Sequence, residues 1–162
     1  MNKYPITIVL EGIRSALNVG AIFRTCDAGN IDSLYLSGIT PYPPHNRIPK
    51  TALGSIDYVN WHAEKDTIKV ATDLKNSGVT LYSIEITKDS KDIFKAEIDF
   101  PSAFVFGNEI TGVSDTIQKL SNKVLHIPMY GSKESLNIST ACGIVIYELI
   151  RKYNAKNLNR KI

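Results

Sequence analysis

The sequence predicts an α/β domain in which a parallel sheet is flanked by helices. Short apolar runs of strand length alternate with longer segments of helical periodicity, and this alternation is typical of parallel sheets. The chain has 162 residues, which is the size of one domain. Its composition, 43% hydrophobic and 22% charged, is that of an ordinary globular protein. We therefore expect a single domain with a sizeable apolar core.

The first half of the chain contains two predicted strands and one predicted helix. Residues 6–10 and residues 34–36 have the apolar composition of buried strands. Residues 18–30 have helical spacing and end at Gly29 or Asn30, residue types that commonly terminate helices. Residues 40–50, which we call the proline-rich loop, must be irregular because prolines interrupt both helices and the hydrogen bonding between strands. These prolines are Pro41, Pro43, Pro44 and Pro49.

The second half continues the alternation of helices and strands. Three more strands are predicted, at 79–87, 103–107 and 124–127. Three helices are predicted, at 64–77, at 114–120 and over an apolar stretch from 138 to 150. We see no internal repeat and no linker between domains, so the domain is expected to span residues 1–155, followed by a basic tail at 156–162.

Composition and missing motifs exclude several classes of protein. No segment has the length of a membrane span or the pattern of a secretion signal, so a cytoplasmic protein without membrane contact is expected. Cys26 and Cys142 lack metal-ligand spacing, and we expect both to be reduced thiols and no metal site. The glycine patterns of dinucleotide sites, P-loops and hydrolase nucleophile elbows are missing. The net charge of +3 allows an acidic partner without requiring one.

The first predicted helix carries a polar stripe beside its apolar face. The apolar face consists of Val19, Ile22, Phe23 and Cys26. Gly20, Arg24 and Asp27 share a different face, on which Gly20 could leave room for a ligand and Arg24 could bind a phosphate with its planar guanidinium. The alternative interpretation is that Arg24 and Asp27 form a solvated ion pair, which is the usual meaning of this spacing.

Two polar loops follow predicted strands. Residues 104–113 end a strand at Gly107 and turn around Glu109 to Gly112, and residues 131–139 lie between a strand and the last helix. Parallel sheets place ligands at such positions. The alternatives are that the glycines are only turn residues, and that Asn137 or Ser139 only caps the helix.

Taken in order, residues 18–29, 104–113 and 131–139 resemble the three motifs of the SpoU/TrmH branch of the SPOUT RNA methyltransferases. We refer to them as the first, second and third motif. Their patterns are N-x-G-x-x-x-R-T, G-x-E-x-x-G and S-L-N-x-S. The resemblance implies a SPOUT-type fold with a C-terminal trefoil knot. It also implies transfer of a methyl group from S-adenosyl-L-methionine to a ribose 2′-hydroxyl of RNA, with transfer RNA favoured over ribosomal RNA.

The resemblance also assigns residues to the site. The residues implied for catalysis are Arg24, Asn18, Glu109, Ser135 and Asn137. The residues implied for cofactor binding are Phe106, Gly107, Asn108, Glu109, Ile127, Met129, Ser135 and Leu136. Because a guanidinium is a poor base at neutral pH, we expect Arg24 to orient the phosphate and to stabilise the developing alkoxide.

Partners follow from the same resemblance. The last helix is apolar around most of its circumference, which predicts a homodimer packed through it. The proline-rich loop, with His45, Arg47 and Lys50, and the basic tail are candidate RNA contacts. The alternatives are a proline-stiffened surface loop and a solvated helix terminus. The alternative function is a catalytically silent SPOUT-fold protein that only binds RNA.

Overall fold

The computed structural model describes residues 2–158 and contains one seven-stranded sheet. The strands are β1 Tyr4–Glu11, β2 Ile31–Ser37, β3 Trp61–Glu64, β4 Thr80–Ile84, β5 Lys91–Asp92, β6 Ser102–Phe106 and β7 Lys123–His126. Their spatial order is β3-β2-β1-β6-β4-β7-β5, and every pair of neighbours is parallel. The predicted parallel sheet is therefore confirmed.

Helices cover both faces of the sheet. They are α1 Ala16–Ala28, α2 Pro49–Ala52, α3 Thr67–Asn76, α4 Asp115–Leu120 and α5 Ile138–Leu158, with a 3₁₀ turn at Ser55–Asp57. On one face α1, α2 and α5 pack over residues such as Ile8, Leu34 and Phe104. On the other face α3 and α4 pack over Val9 and Val105. The central strands are apolar on both sides because each side meets a helix layer.

Two strands were missed by the sequence prediction. β3 carries the polar sequence Trp-His-Ala-Glu and β5 is only Lys91–Asp92, and both lie at the edges of the sheet. Edge strands need no continuous apolar run, so periodicity does not reveal them. The helix predicted at 64–77 begins only at Thr67, because Asp66 accepts a hydrogen bond from the backbone of Lys69 and caps it.

The proline-rich loop is irregular up to Ile48, and α2 starts at Pro49. Proline suits the first helical position because it lacks an N–H that would have no partner there. Both ends of the irregular part are fixed. The Thr40 hydroxyl donates to the Leu10 carbonyl at 3.1 Å, and Ile48 is fully buried. The loop is thus held between two anchored positions.

The predicted boundary between domain and tail, at residues 155 and 156, falls inside α5. Lys152 donates to the carbonyls of Phe94 and Ala96, at 3.0 and 2.9 Å, and Lys156 donates to the Ile98 carbonyl. Arg151 pairs with Glu148, and this contact lowers the pKa of the Glu148 carboxyl. Of the predicted tail, Lys156 therefore already has a protein partner. The predicted tail residues 159–162 lie outside the described residues.

Both cysteines are buried and unpaired within the described chain. Burial raises the pKa of the Cys26 and Cys142 thiols well above their usual value, so both stay protonated. No helix formed by residues 2–158 combines the length and the apolar character that crossing a membrane requires. The trefoil knot stays a prediction of the resemblance.

Gly20 is where α1 and α2 come closest. A Cβ at Gly20 would lie 2.1 Å from Oγ1 of Thr51 and 2.3 Å from the carbonyl oxygen of Ile48. Thr51 also donates to the Leu17 carbonyl at 2.8 Å, which ties the two helices together. The expectation that Gly20 leaves room for a ligand is therefore wrong, because α2 fills that space.

We expect Gly20→Ala to destabilise the fold by about 1–2 kcal/mol, because overpacking outweighs the gain in helix propensity. The matched control is Gly143→Ala in α5, where the added Cβ would meet only Cγ2 of Thr25 at 3.8 Å. That control should be neutral or slightly stabilising. Urea unfolding of both variants provides the measurement, and equal midpoints for them would contradict this account of the α1–α2 contact.

Candidate active site at the carboxyl edge of the sheet

Four neighbouring strands deliver their following loops to one edge of the sheet. In the order β1-β6-β4-β7, the strands are parallel, so residues 12–15, 107–114, 85–90 and 127–137 all emerge at the carboxyl edge. Parallel sheets bind ligands at this edge. The second and third motifs lie in two of these loops, and the first motif lies in the helix that follows the 12–15 loop.

The second motif forms a tight hairpin that requires both of its glycines. A Cβ at Gly107 would lie 2.1 Å from the backbone of Gly112 and of Val113. Gly112 has φ +71°, and a Cβ there would lie 2.1 Å from the Glu85 carboxylate. Asn108 closes the hairpin by accepting hydrogen bonds from the backbone of Ile110 and Thr111, at 2.8 and 3.1 Å. The glycines therefore shape the loop itself and leave no empty space beside them.

Asn108 and Glu109 connect this hairpin to the start of α1. The Asn108 amide donates to the Gly12 carbonyl at 2.7 Å. The Glu109 carboxylate accepts from the backbone N–H of Arg14 at 3.0 Å and of Ser15 at 3.4 Å. Since its oxygens are engaged by these donors, Glu109 is suited to hold the two loops in place more than to accept a proton. It is not simply an exposed loop acid.

Two further glutamates at the edge were missed by the sequence analysis. Glu85, just after β4, accepts from the backbone of Val113 at 3.0 Å. Glu11, the last residue of β1, accepts from the backbone N–H and the hydroxyl of Ser114, at 2.9 and 2.7 Å. In the sequence, each of these glutamates appears only as an acidic residue at the end of an apolar strand. That pattern is too common to indicate a role. Both glutamates fix the segment that follows the second-motif hairpin.

The first and third motifs meet through two asparagines. Asn137 caps α5, because its Oδ1 accepts from the backbone and the hydroxyl of Ser139, at 2.9 and 2.6 Å. Its Nδ2 donates to Oδ1 of Asn18 at 3.3 Å. Ser135 and Leu136 are exposed just before this contact. Asn137 therefore caps α5 and also joins the third motif to the first.

Arg24 lies on the exposed side of α1, apart from the asparagine contact. It is roughly 9 Å further along the helix axis than Asn18 and about 120° around it, given six residues of α-helix. Among residues 2–158, its guanidinium has no ion-pair partner, and the alternative Arg24–Asp27 pair is not formed. The guanidinium is thus exposed and makes none of the described ion pairs, which leaves it available to an anionic ligand.

A cleft of about 660 Å³ opens beside the start of α1. The 12–15 loop and α1 contribute Arg14 and Asn18, the proline-rich loop contributes His45 and Arg47, and the second motif contributes Glu109. The cleft thus joins residues of the first and second motifs to the proline-rich loop. Lys50, which was grouped with His45 and Arg47 from the sequence, does not line it.

Comparison with known proteins is consistent with this geometry. A model described as the SpoU rRNA Methylase family matches residues 5–147. The tRNA (guanosine(18)-2′-O)-methyltransferase of Thermus thermophilus is 31% identical over 147 residues, covering 91% of this chain and 75% of that enzyme.

Solved structures share the fold. The A. aeolicus TrmH/SpoU tRNA modifying enzyme superposes with a TM-score of 0.87 at 28% identity, covering 96% of this chain and 79% of that one. The SpoU methyltransferase AviRb from Streptomyces viridochromogenes, solved in complex with the cofactor AdoMet, gives a TM-score of 0.85 at 21% identity, covering 95% and 62%. The predicted fold class, apart from the knot, is confirmed.

Glu109→Ala should lower the free energy of unfolding by about 1 kcal/mol, because two backbone N–H groups lose a charged acceptor at a partly solvated site. Glu109→Gln should lose less, since an amide oxygen still accepts. Glu97→Ala, which removes an exposed acid outside this edge, serves as the control. Urea midpoints that coincide for Glu109→Ala and Glu97→Ala would argue against the holding role of Glu109.

Proposed function

Because the chain belongs to the SpoU methylase family, we propose that it transfers a methyl group from S-adenosylmethionine to a ribose 2′-hydroxyl of RNA. The observation that carries the proposal is the hydrogen bond between Asn18 and Asn137, which joins the first and third motifs at the carboxyl edge. Two separate stretches of sequence that resemble one family's site meet there in the fold. The T. thermophilus relative acts on tRNA, and this supports transfer RNA over ribosomal RNA as the substrate.

The segment after β7 fits the cofactor. No backbone group of residues 129–136 pairs with another backbone group in the described chain, so these groups are free to bind an adenosine. Ile127 and Met129 are half-buried and Leu136 is exposed, which suits a loop that covers one side of a ligand. We assign adenosine binding to the backbone around these three residues and to the exposed Ser135.

The second motif supplies the other side of the cofactor pocket. Phe106 is the buried end of β6, and Gly107 starts the hairpin. The side chains of Asn108 and Glu109 bond to the backbone of the 12–15 loop, so their contribution is to fix the pocket wall. Pocket recognition mainly through backbone groups accounts for the lack of a conspicuous nucleotide fingerprint in the sequence.

The reaction requires accurate positioning more than covalent help from the protein. S-adenosylmethionine supplies a methyl group that its sulfonium has already activated. The chain's own residues must align the 2′-oxygen with that methyl group and stabilise the negative charge that develops on it, while the hydroxyl proton passes to water. Asn18, Asn137 and Ser135 offer donors and acceptors for ribose hydroxyls. Because a guanidinium is a poor base at neutral pH, we assign Arg24 to binding phosphate and stabilising the alkoxide.

The direct test is to incubate the purified protein with S-adenosylmethionine and bulk transfer or ribosomal RNA, and to map 2′-O-methyl groups by mass spectrometry. New 2′-O-methylation in transfer RNA is the expected result. RNA binding without methyl transfer would instead support the alternative, a catalytically silent RNA-binding protein. Failure to bind S-adenosylmethionine in calorimetry at millimolar concentration would contradict the cofactor assignment.

Arg24→Ala should reduce methyl transfer at least 100-fold while S-adenosylmethionine affinity and melting temperature stay unchanged, because Arg24 is exposed and makes no described ion pair. Arg24→Lys should recover only part of the rate, since a lysine keeps the charge but not the planar guanidinium. Turnover of Arg24→Ala close to that of the unmodified protein would reject the assignment.

A homodimer packed through α5 is the second part of the proposal. The inner face of α5 is buried in the core and includes Cys142, Val145 and Leu149. Its outer face carries the half-buried Ile144 and the 54% exposed Tyr147, an apolar surface that a second copy would cover. A second subunit would also add RNA-binding surface beside each site.

Light scattering should give twice the chain mass at micromolar concentration, and Tyr147→Asp should shift the protein towards the monomer because it places a charge in the apolar surface. Tyr58→Asp is the control, since Tyr58 is 74% exposed and lies outside α5. A monomer mass for the unmodified protein with full activity would reject the dimer.

A further inference from the structure

The cleft beside the start of α1 combines fixed backbone with exposed cationic side chains. The proline-rich loop is anchored by Thr40, whose hydroxyl also accepts from the Ile13 backbone N–H at 2.9 Å, and by the fully buried Ile48. Between these anchors, prolines restrict the backbone and Arg47 is exposed. A loop held at both ends can present a side chain to a ligand with little loss of backbone entropy.

The charge of the cleft favours an anion. Arg47 from the proline-rich loop and Arg14 from the 12–15 loop both line it. Glu109 is the only acid among the described residues that line the cleft, and its carboxylate is engaged by the backbone N–H groups of Arg14 and Ser15. His45 keeps Nδ1 as an acceptor for the Arg47 backbone N–H at 3.3 Å, which helps to fix the turn that carries Arg47. Neither guanidinium forms an ion pair among residues 2–158.

The position of the cleft favours a phosphodiester next to the target nucleotide. Asn18, which contacts Asn137 in the candidate ribose site, also lines the cleft. A volume of about 660 Å³ accommodates a nucleotide-sized group. Arginine binds phosphate oxygens in pairs through its planar guanidinium. The cleft thus continues directly from the place where the ribose would lie.

We propose that Arg47 and Arg14 bind the phosphodiester backbone of the RNA segment that adjoins the methylated ribose, and that the proline-rich loop serves to hold Arg47 over that segment. The proposal rests on the proposed function for its substrate, but it assigns binding, not catalysis, to these two residues. Their loss should therefore weaken RNA binding and raise KM for RNA with little change in kcat, in contrast to the loss of kcat expected for Arg24→Ala.

The test measures binding of bulk transfer RNA by fluorescence anisotropy over a series of salt concentrations. Each phosphate contact to single-stranded RNA contributes roughly 0.7 to the slope of log affinity against log salt. Arg47→Ala and Arg14→Ala should each reduce the slope by about that amount and raise Kd about 5- to 20-fold at low salt. Arg47→Lys should keep the slope, because the charge remains, while losing part of the affinity.

Lys119→Ala is the matched control, because it removes an exposed cation on α4, away from the cleft. Its slope and Kd should equal those of the unmodified protein, and the melting temperature and S-adenosylmethionine affinity of every variant should be unchanged. The proposal would be overturned if Arg47→Ala and Arg14→Ala gave the same slope and Kd as Lys119→Ala. It would also be overturned if the unmodified protein showed no detectable binding of transfer RNA at about 50 mM salt.

The outcomes separate the two proposals. If the unmodified protein methylates RNA but Arg47→Ala and Arg14→Ala leave the salt slope of RNA binding unchanged, only the phosphate assignment fails. If the slopes fall as expected but no RNA is methylated, the cleft is an RNA-binding surface and the proposed catalytic function fails.

Discussion

Hydrogen bonds from backbone N–H groups to carboxylates hold the carboxyl edge of the sheet in one arrangement. Glu109 joins the second motif to the start of α1, Glu85 fixes the end of the same hairpin, and Glu11 fixes the start of α4. Backbone donors at loop ends need acceptors, and a carboxylate can satisfy more than one of them. Together with the hydrogen bond from Asn108 to Gly12, these contacts join the loops after β1 and β6. The positions of the cleft and of the asparagine contact follow from these loops.

Close backbone approach is the second requirement of the fold. Gly20 lets α2 lie against α1, and Gly107 lets the second-motif hairpin close on itself. In both places a methyl group would overlap neighbouring backbone or side-chain atoms. The position of α2 matters for function because α2 follows the proline-rich loop directly, so the packing at Gly20 sets where Ile48 and therefore Arg47 are held.

Much of the fold could be predicted because buried strands and amphipathic helices have clear periodicity. The edge strands β3 and β5 escaped because their polar sequences lack that signal. For the site, Asn18 and Asn137 were assigned through the resemblance, and the fold brings them into contact. Gly20 was misread because a missing side chain can make room for a ligand or for a helix, and only the tertiary packing distinguishes these cases. The roles of Glu11 and Glu85 depend on neighbours distant in sequence, which a single sequence does not identify.

The contacts made by Lys152 and Lys156 have a consequence for how the molecule opens. These lysines lie on α5 and donate to backbone carbonyls within residues 94–98. Lys152 and Phe94, for example, are 58 positions apart in the chain. The segment they hold follows β5, the strand at one edge of the sheet. Segments linked in this way open together in native-state hydrogen exchange, as one cooperative unit. Fraying of the last turns of α5 would therefore be recorded as faster amide exchange at the far edge of the sheet, well away from the chain terminus.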